Sequence, residues 1–246
     1  MMITPVLKSD LAPSGSLRVG INYGNPVLAK KDPSSGALHG VAVDLARELG
    51  RRVNLPVELV AFDAAGKMFQ AIKNGAWDVA FLAIDPARAN EINFTAAYIL
   101  IEGTYLVPGR SNFHSNEEID REGVRIGVSA NSAYDLFLSR NIKHARLVRG
   151  AGPESAFELI LTGKVDVVAG VRQSLLANAV KIPGSRVFES RFMAIEQALG
   201  IPKGHDTAAE YLRHFIEDVK ASGFVAQAIE KSGVSGVSVA PAAALR

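Results

Sequence analysis

One spaced pattern occurs twice in this chain and limits what it can fold into. Phe69-x-x-Ile72-x-x-Gly75-x-Trp77-Asp78-Val79 is matched at every spacing by Phe157-x-x-Ile160-x-x-Gly163-x-Val165-Asp166-Val167. Leu17-Arg18-Val19-Gly20 is matched in the same way by Val124-Arg125-Ile126-Gly127. Both matches run in the same order. The chain therefore contains two similar units, and the copies are too few and too far apart for a solenoid.

Each unit reads as strand–helix–strand–helix–strand, the pattern of a parallel α/β sheet. In the first, residues 17–21 predict a strand and residues 22–26 a turn cluster just past it. Residues 30–36 predict a loop or hairpin tip. Residues 41–53 predict a helix with Val41, Leu45, Ala46 and Leu49 on its apolar face. A strand over 57–61 follows, then a helix over 64–74 capped by Asp63 and ended by Gly75, then a strand over 79–83. In the second unit, strands are expected over 124–129, 145–148 and 165–169, with helices over 132–140, 153–162 and 172–180. The extended runs 99–107 and 188–201 lead out of the first unit and back into it, and two such crossings describe a hinge. Helices are expected again over 207–221 and 223–231. Residues 1–16 read as a leader arm and residues 233–246 as a weakly ordered tail.

Composition narrows the chemistry. At 246 residues the chain is long enough for one large or two medium domains. A net charge of +2 implies no strong attraction to nucleic acid or membrane. The chain has no cysteine, which removes disulfides, thiolate catalysis and Cys-ligated metal. Its histidines, His39, His114, His144, His205 and His214, have no local metal-site spacing, so neither metal nor cofactor is expected. No apolar run reaches the length of a membrane span, and the N-terminus lacks the form of a signal peptide.

In open α/β sheets, ligands bind beyond the carboxyl ends of the strands. Those ends supply Asn22, Tyr23 and Asn25, then Lys67, then Ala83 to Arg88 from the first unit; the second supplies Asn131, Ser132, Gly170 and Arg172. Asp85-Pro86 predicts the start of a short helix with Arg88 in its first turn. A cation there is opposed by the helix dipole and calls for an anion, unless it pairs with Glu91 on a solvated face. Ser132 opens a helix, so its hydroxyl and nearby N–H groups can take a carboxylate from the opposite side. Tyr23 either covers an apolar part of a ligand or packs. Lys67 and Arg172 are further cations, or solvated helix residues. Glu102, in the first crossing, reads as a hinge pairing, and Gln197 lies in the second crossing. The set is suited to binding rather than catalysis.

Five segments carry a resemblance: LRVGINYGNP, Gly40-Val41-Ala42-Val43-Asp44-Leu45-Ala46, GAWDVAFLAIDPARANEINFTAAY, VRIGVSANSAYD and GKVDVVAGVR. Over roughly residues 17–232 the chain resembles the type II periplasmic solute-binding proteins of ABC transporters, solute-binding family three, which includes binders of polar amino acids. The resemblance implies a two-lobed α/β fold in which two open α/β lobes are joined by a two-segment hinge. Lobe one would take residues 1–102 and 192–246, and lobe two residues 103–191. It implies that Arg88 binds a ligand α-carboxylate and that Ser132 closes on the same group. It also implies a monomer that serves an ABC permease, and a periplasmic location; the chain as written, without a signal peptide, would be cytoplasmic if it is full length.

The departures from the family pattern concern the other half of the ligand. Amino-acid binders hold the α-ammonium with an Asp at the position of Val171, and small polar residues stand where this chain has Phe81, Leu82 and Ala83. The expected ligand is accordingly a small carboxylate, an amino acid or a related organic acid. The alternatives are a dehydratase of prephenate- or arogenate-like acids, for which only Glu102 and Lys67 offer acid–base groups, and a ligand sensor without transport.

Overall fold

The computed structural model describes residues 2–244. The chain opens with helix α1 (Pro5–Leu11) and strand β1 (Leu17–Asn22), and the short strands β2 (Lys30–Lys31) and β3 (Leu38–His39) form a hairpin. There follow α2 (Val41–Val53), β4 (Val57–Phe62), α3 (Ala65–Gln70), β5 (Val79–Ala83), β6 (Ile92–Phe94) and the long β7 (Ile99–Val107). The second unit comprises β8 (Arg125–Ser129), α4 (Ala133–Asn141), β9 (Arg146–Gly150), α5 (Pro153–Leu161), β10 (Val167–Val171) and α6 (Arg172–Ala179). The chain then returns through β11 (Arg186–Val187) and β12 (Met193–Pro202) to α7 (Asp206–Ala221), α8 (Phe224–Ser232) and β13 (Ser238–Val239).

The main strand order is β4-β1-β5-β12-β7-β10-β8-β9. β1 is parallel to β4 and β5, and β8 is parallel to β9 and β10. Between these half-sheets lie β12 and β7, antiparallel to each other and to their outer neighbours β5 and β10. The result is two parallel α/β lobes joined by two crossing strands.

The repeated sequence pattern has a physical counterpart. In lobe one, Asp78 accepts from the Arg18 backbone N–H at 2.8 Å and from its Nη2 at 2.6 Å. In lobe two, Asp166 accepts from the Arg125 backbone N–H at 2.8 Å and from its Nη2 at 2.8 Å. Each clamp ties the start of the first strand to the start of the third. Gly75 and Gly163, which end the preceding helices, hold φ of 58° and 66°, where a side chain would strain the backbone.

Three sequence expectations are corrected. The described residues of the leader arm, 2–16, are docked on the fold: α1 lies on α7 and buries Leu7 and Leu11 completely. Asp10 fixes that packing by accepting from the Ala208 N–H at 2.8 Å. In the tail, Ser238–Val239 pairs with β7, so the chain past residue 233 adds a strand; Leu245 and Arg246 lie outside the described residues. Asp63 does not cap α3, whose N-cap is Ala64; its carboxylate pairs with Lys67 at 2.7 Å instead.

Candidate functional site

The carboxyl ends of β5 and β10 face each other across the hinge and, with the turns beyond β1 and β8, enclose a cavity. Its free interior is about 60 Å³. Of the residues singled out from sequence, Asn22, Asn25, Ala83, Arg88, Ser132 and Gly170 line it.

Arg88 dominates the cavity. Residues after Asp85 do not form a helix long enough to carry a dipole: Asp85 Oδ1 accepts from the Ala87 N–H at 2.8 Å, and a single 3-10 turn, Arg88–Asn90, follows. The turn carries Arg88 inward rather than toward Glu91 on the surface, and its side chain has no exposed area. Nη1 donates to the Ala83 carbonyl at 2.9 Å and Nη2 to the Asn131 carbonyl at 2.8 Å. Nε is buried without a partner among the described residues. A guanidinium carries five N–H donors, so three remain after these two bonds. Burial pulls the pKa of Arg88 from 12.5 down to about 10, with only partial relief from Asp85, so it stays charged at neutral pH. A buried cation with unspent donors at a cavity wall is chemically suited to an anion.

Lobe two meets it with the turn from β8 into α4. Ser132 caps α4, its Oγ accepting from the Asp135 N–H at 3.1 Å, and Ala133 and Tyr134 at the helix start also line the cavity. The first N–H groups of a helix have no partner inside it, so they add donors on this side. Asp135, only 1% exposed, holds the turn by accepting from the Asn131 N–H and pairing with Arg149. That turn places Asn131 at a φ of 57° and points its carbonyl at Arg88. Asn131 thus contributes its backbone to Arg88, while its side chain is not among the lining groups.

The lobes are closed on one another. Besides the Arg88–Asn131 bond, Arg140 of α4 reaches buried Asp85 at 2.7 Å. A Cβ on Gly66 of α3 would sit 2.3 Å from the Ala130 carbonyl oxygen, so the two lobes touch backbone to backbone there.

Three residues singled out from sequence lie elsewhere. Lys67 pairs with Asp63 and, with Tyr23, lines an adjoining outer pocket that shares Gly24, Pro153, Ser174 and Asn178 with the cavity. Lys31 sits 5.3 Å over the Tyr23 ring. Arg172 is committed to the hinge, with Nε on Glu102 at 2.6 Å and its other nitrogens on the Phe188 and Glu189 carbonyls. That pairing is the hinge role read for Glu102. On the other side, Phe157, Leu175 and Asn178 line the cavity without having been selected, and Gln197 of the second crossing and Phe81 line it too. Phe157 and Leu175 carry no sequence signal that separates a cavity wall from ordinary helix core.

Comparison with known proteins agrees with this geometry. Residues 17–234 match the family described as bacterial extracellular solute-binding proteins, family 3. The histidine-binding periplasmic protein of Escherichia coli strain K12 is 23% identical over 202 residues, 77% of each chain. The glutamine-binding protein of Geobacillus stearothermophilus is 21% identical over 194 residues, 77% of this chain and 73% of the relative. Among solved structures, the solute receptor for L-cysteine of Neisseria gonorrhoeae superimposes with a TM-score of 0.79 at 20% identity, covering 93% of both chains. The P235GK mutant of ArgBP from T. maritima gives 0.78 at 21% identity, covering 92% of this chain and 99% of that one. An ancestral amino acid-binding protein, AncCDT-1, a precursor of cyclohexadienyl dehydratase, gives 0.75 at 20% identity, covering 91% and 97%. With the family matched over most of its length and the two-lobed fold in place around a buried arginine, this chain belongs to the bacterial extracellular solute-binding proteins, family 3.

Proposed function

We propose that this protein captures a small carboxylate-bearing ligand, an amino acid or related organic acid, between its lobes and delivers it on the periplasmic side to an ABC-type permease. One observation carries the reading: Arg88, fully buried, keeps unspent donors in an enclosed cavity opposite the start of α4. Arg88 takes one side of the carboxylate, and Ser132 with the first N–H groups of α4 takes the other. Contacts from both lobes to one ligand then favour the closed form. A dehydratase reaction needs an acid or base at the substrate. Lys67 lies at the outer pocket, Glu102 is paired with Arg172, and among the described residues no Asp, Glu, His or Lys lines the cavity.

The test is a thermal-shift screen over amino acids, keto acids, hydroxy acids and dicarboxylates, followed by calorimetry on Arg88→Ala. A bound carboxylate raises the melting temperature by mass action. The substitution is expected to cost at least about 2 kcal/mol of binding free energy, because the pair is desolvated. Unchanged affinity would remove Arg88 from the site and end this reading.

A further inference from the structure

The cavity contains a second buried polar group without a partner. Gln197 on β12 is 5% exposed, lines the cavity, and its Oε1 has no hydrogen bond among the described residues. It stands beside Arg88. Gln197 is the cross-strand partner of Ala83, and the Ala83 carbonyl is where Arg88 Nη1 docks. Directly opposed residues on paired strands lie about 5 Å apart, so both groups serve the same end of a ligand. A carboxamide accepts from a hydroxyl through its oxygen, or donates through its NH2.

The rest of the wall sets the ligand's charge. Arg88 is the one ionised side chain among the lining residues, and no carboxylate joins it. Val171 occupies the helix start where an acid could have been placed, and it too lines the cavity. A zwitterion would bring an ammonium into a closed site with no anionic partner, whereas a monoanion balances Arg88. Phe81, Leu82, Phe157, Val168, Leu175 and Ile195 give the wall an apolar part, beside the neutral polar side chains of Asn22, Asn25, Ser129, Ser174 and Asn178.

We propose that the site selects 2-hydroxy monocarboxylates with a short apolar chain over the matching 2-amino acids, with Gln197 holding the 2-hydroxyl. The proposal rests on the carboxylate reading above and narrows it to one ligand class.

Calorimetry on the dialysed full-length protein tests it with two sets of probes: lactate, alanine, propanoate and lactamide, and the five-carbon set 2-hydroxy-3-methylbutanoate, valine, 3-methylbutanoate and the hydroxy acid's amide. In the better-fitting set the hydroxy acid is expected to bind at least about a hundredfold tighter than the amino acid. Its margin over the acid without the hydroxyl is expected to be about tenfold. In Gln197→Met that second margin vanishes. An amino acid that binds as tightly as its hydroxy counterpart overturns the inference and leaves the carboxylate reading standing. Equal binding of hydroxy and unsubstituted acids by the wild-type protein also overturns it, whatever the variant does. An amide that binds as well as its acid overturns the carboxylate reading itself. Binding of no probe in either set overturns the inference.

Discussion

Arg88 holds a charge that the folded protein disfavours. Its shift from 12.5 to about 10 corresponds to roughly 3 kcal/mol of unfavourable burial that an anion can offset. The sign of the pH dependence follows. Below about pH 10 the group is protonated in both folded and unfolded chains, and the full penalty is present. Between the two values the unfolded chain keeps a proton that the folded chain has lost, so this contribution to stability rises with pH. Relative to Arg88→Met, the ligand-free wild type should gain roughly 1 kcal/mol between pH 9 and pH 11 in urea unfolding. A flat difference would mean that the guanidinium is not desolvated. Val171→Asp tests the other half of the site. Placed at the start of α6 and in the cavity wall, the new carboxylate should raise affinity for zwitterionic amino acids by about tenfold or more. No gain across a panel of amino acids would show that residue 171 does not face the bound group. The importance of Arg88 was legible in the sequence through Asp85-Pro86, although the helix expected there shrinks to a turn. The partners of Arg172 were not legible, because Glu102 and the Phe188 carbonyl are far from it in the chain.

The elements that face each other across the cleft explain why closure is sharp. α3 presents Gly66 where a side chain would strike the Ala130 carbonyl and the Asn131 side chain. Gly66→Ala should therefore separate folding from closure. In the open protein alanine is the better helix residue by about 1 kcal/mol, so the free variant should melt no lower than wild type. Ligand affinity should fall by at least about tenfold, since a clash of this size costs more than 1 kcal/mol. Small-angle scattering should show no ligand-induced compaction. Normal affinity with normal compaction would mean that the backbone contact is not needed for closure. The boundaries of α2, β5 and β7 agree with their apolar patterning, because each buries a face the pattern specifies. α3 departs: the expected single helix over 64–74 becomes an α-helix to Gln70 and a 3-10 turn over Ala71–Asn74. Local sequence does not register that change, which accompanies the packing of this segment with Trp77.

At the scale of the molecule, the chain ends stabilise lobe one. α1 seals α7 with Leu7 and Leu11, both at 0% exposure, and Asp10 anchors it. Removing residues 1–11 should cost roughly 3–6 kcal/mol from the two leucines alone. The loss should appear as a lower urea midpoint, with ligand affinity little changed because the cavity has no contribution from α1. An unchanged midpoint would mean that the helix is not docked in solution. The segment read as a leader arm from sequence because its Pro, Ser and Gly content is a local signal. Burial of Leu7 and Leu11 depends on α7, which begins at Asp206.

The sequence by itself determined the two-unit α/β plan, the hinge formed by two extended runs, and the placing of Arg88 just beyond the carboxyl end of β5. These are statements about periodicity, spacing and local chemistry, which a linear chain carries. Only the tertiary structure decided which polar groups share the cavity. It sent Lys67 to the outer pocket and Arg172 to the hinge, and it set Gln197 beside Arg88 through the pairing of β12 with β5. The physical reason is that a charged side chain settles on whichever partner the fold brings within reach, and those partners lie at long sequence separation.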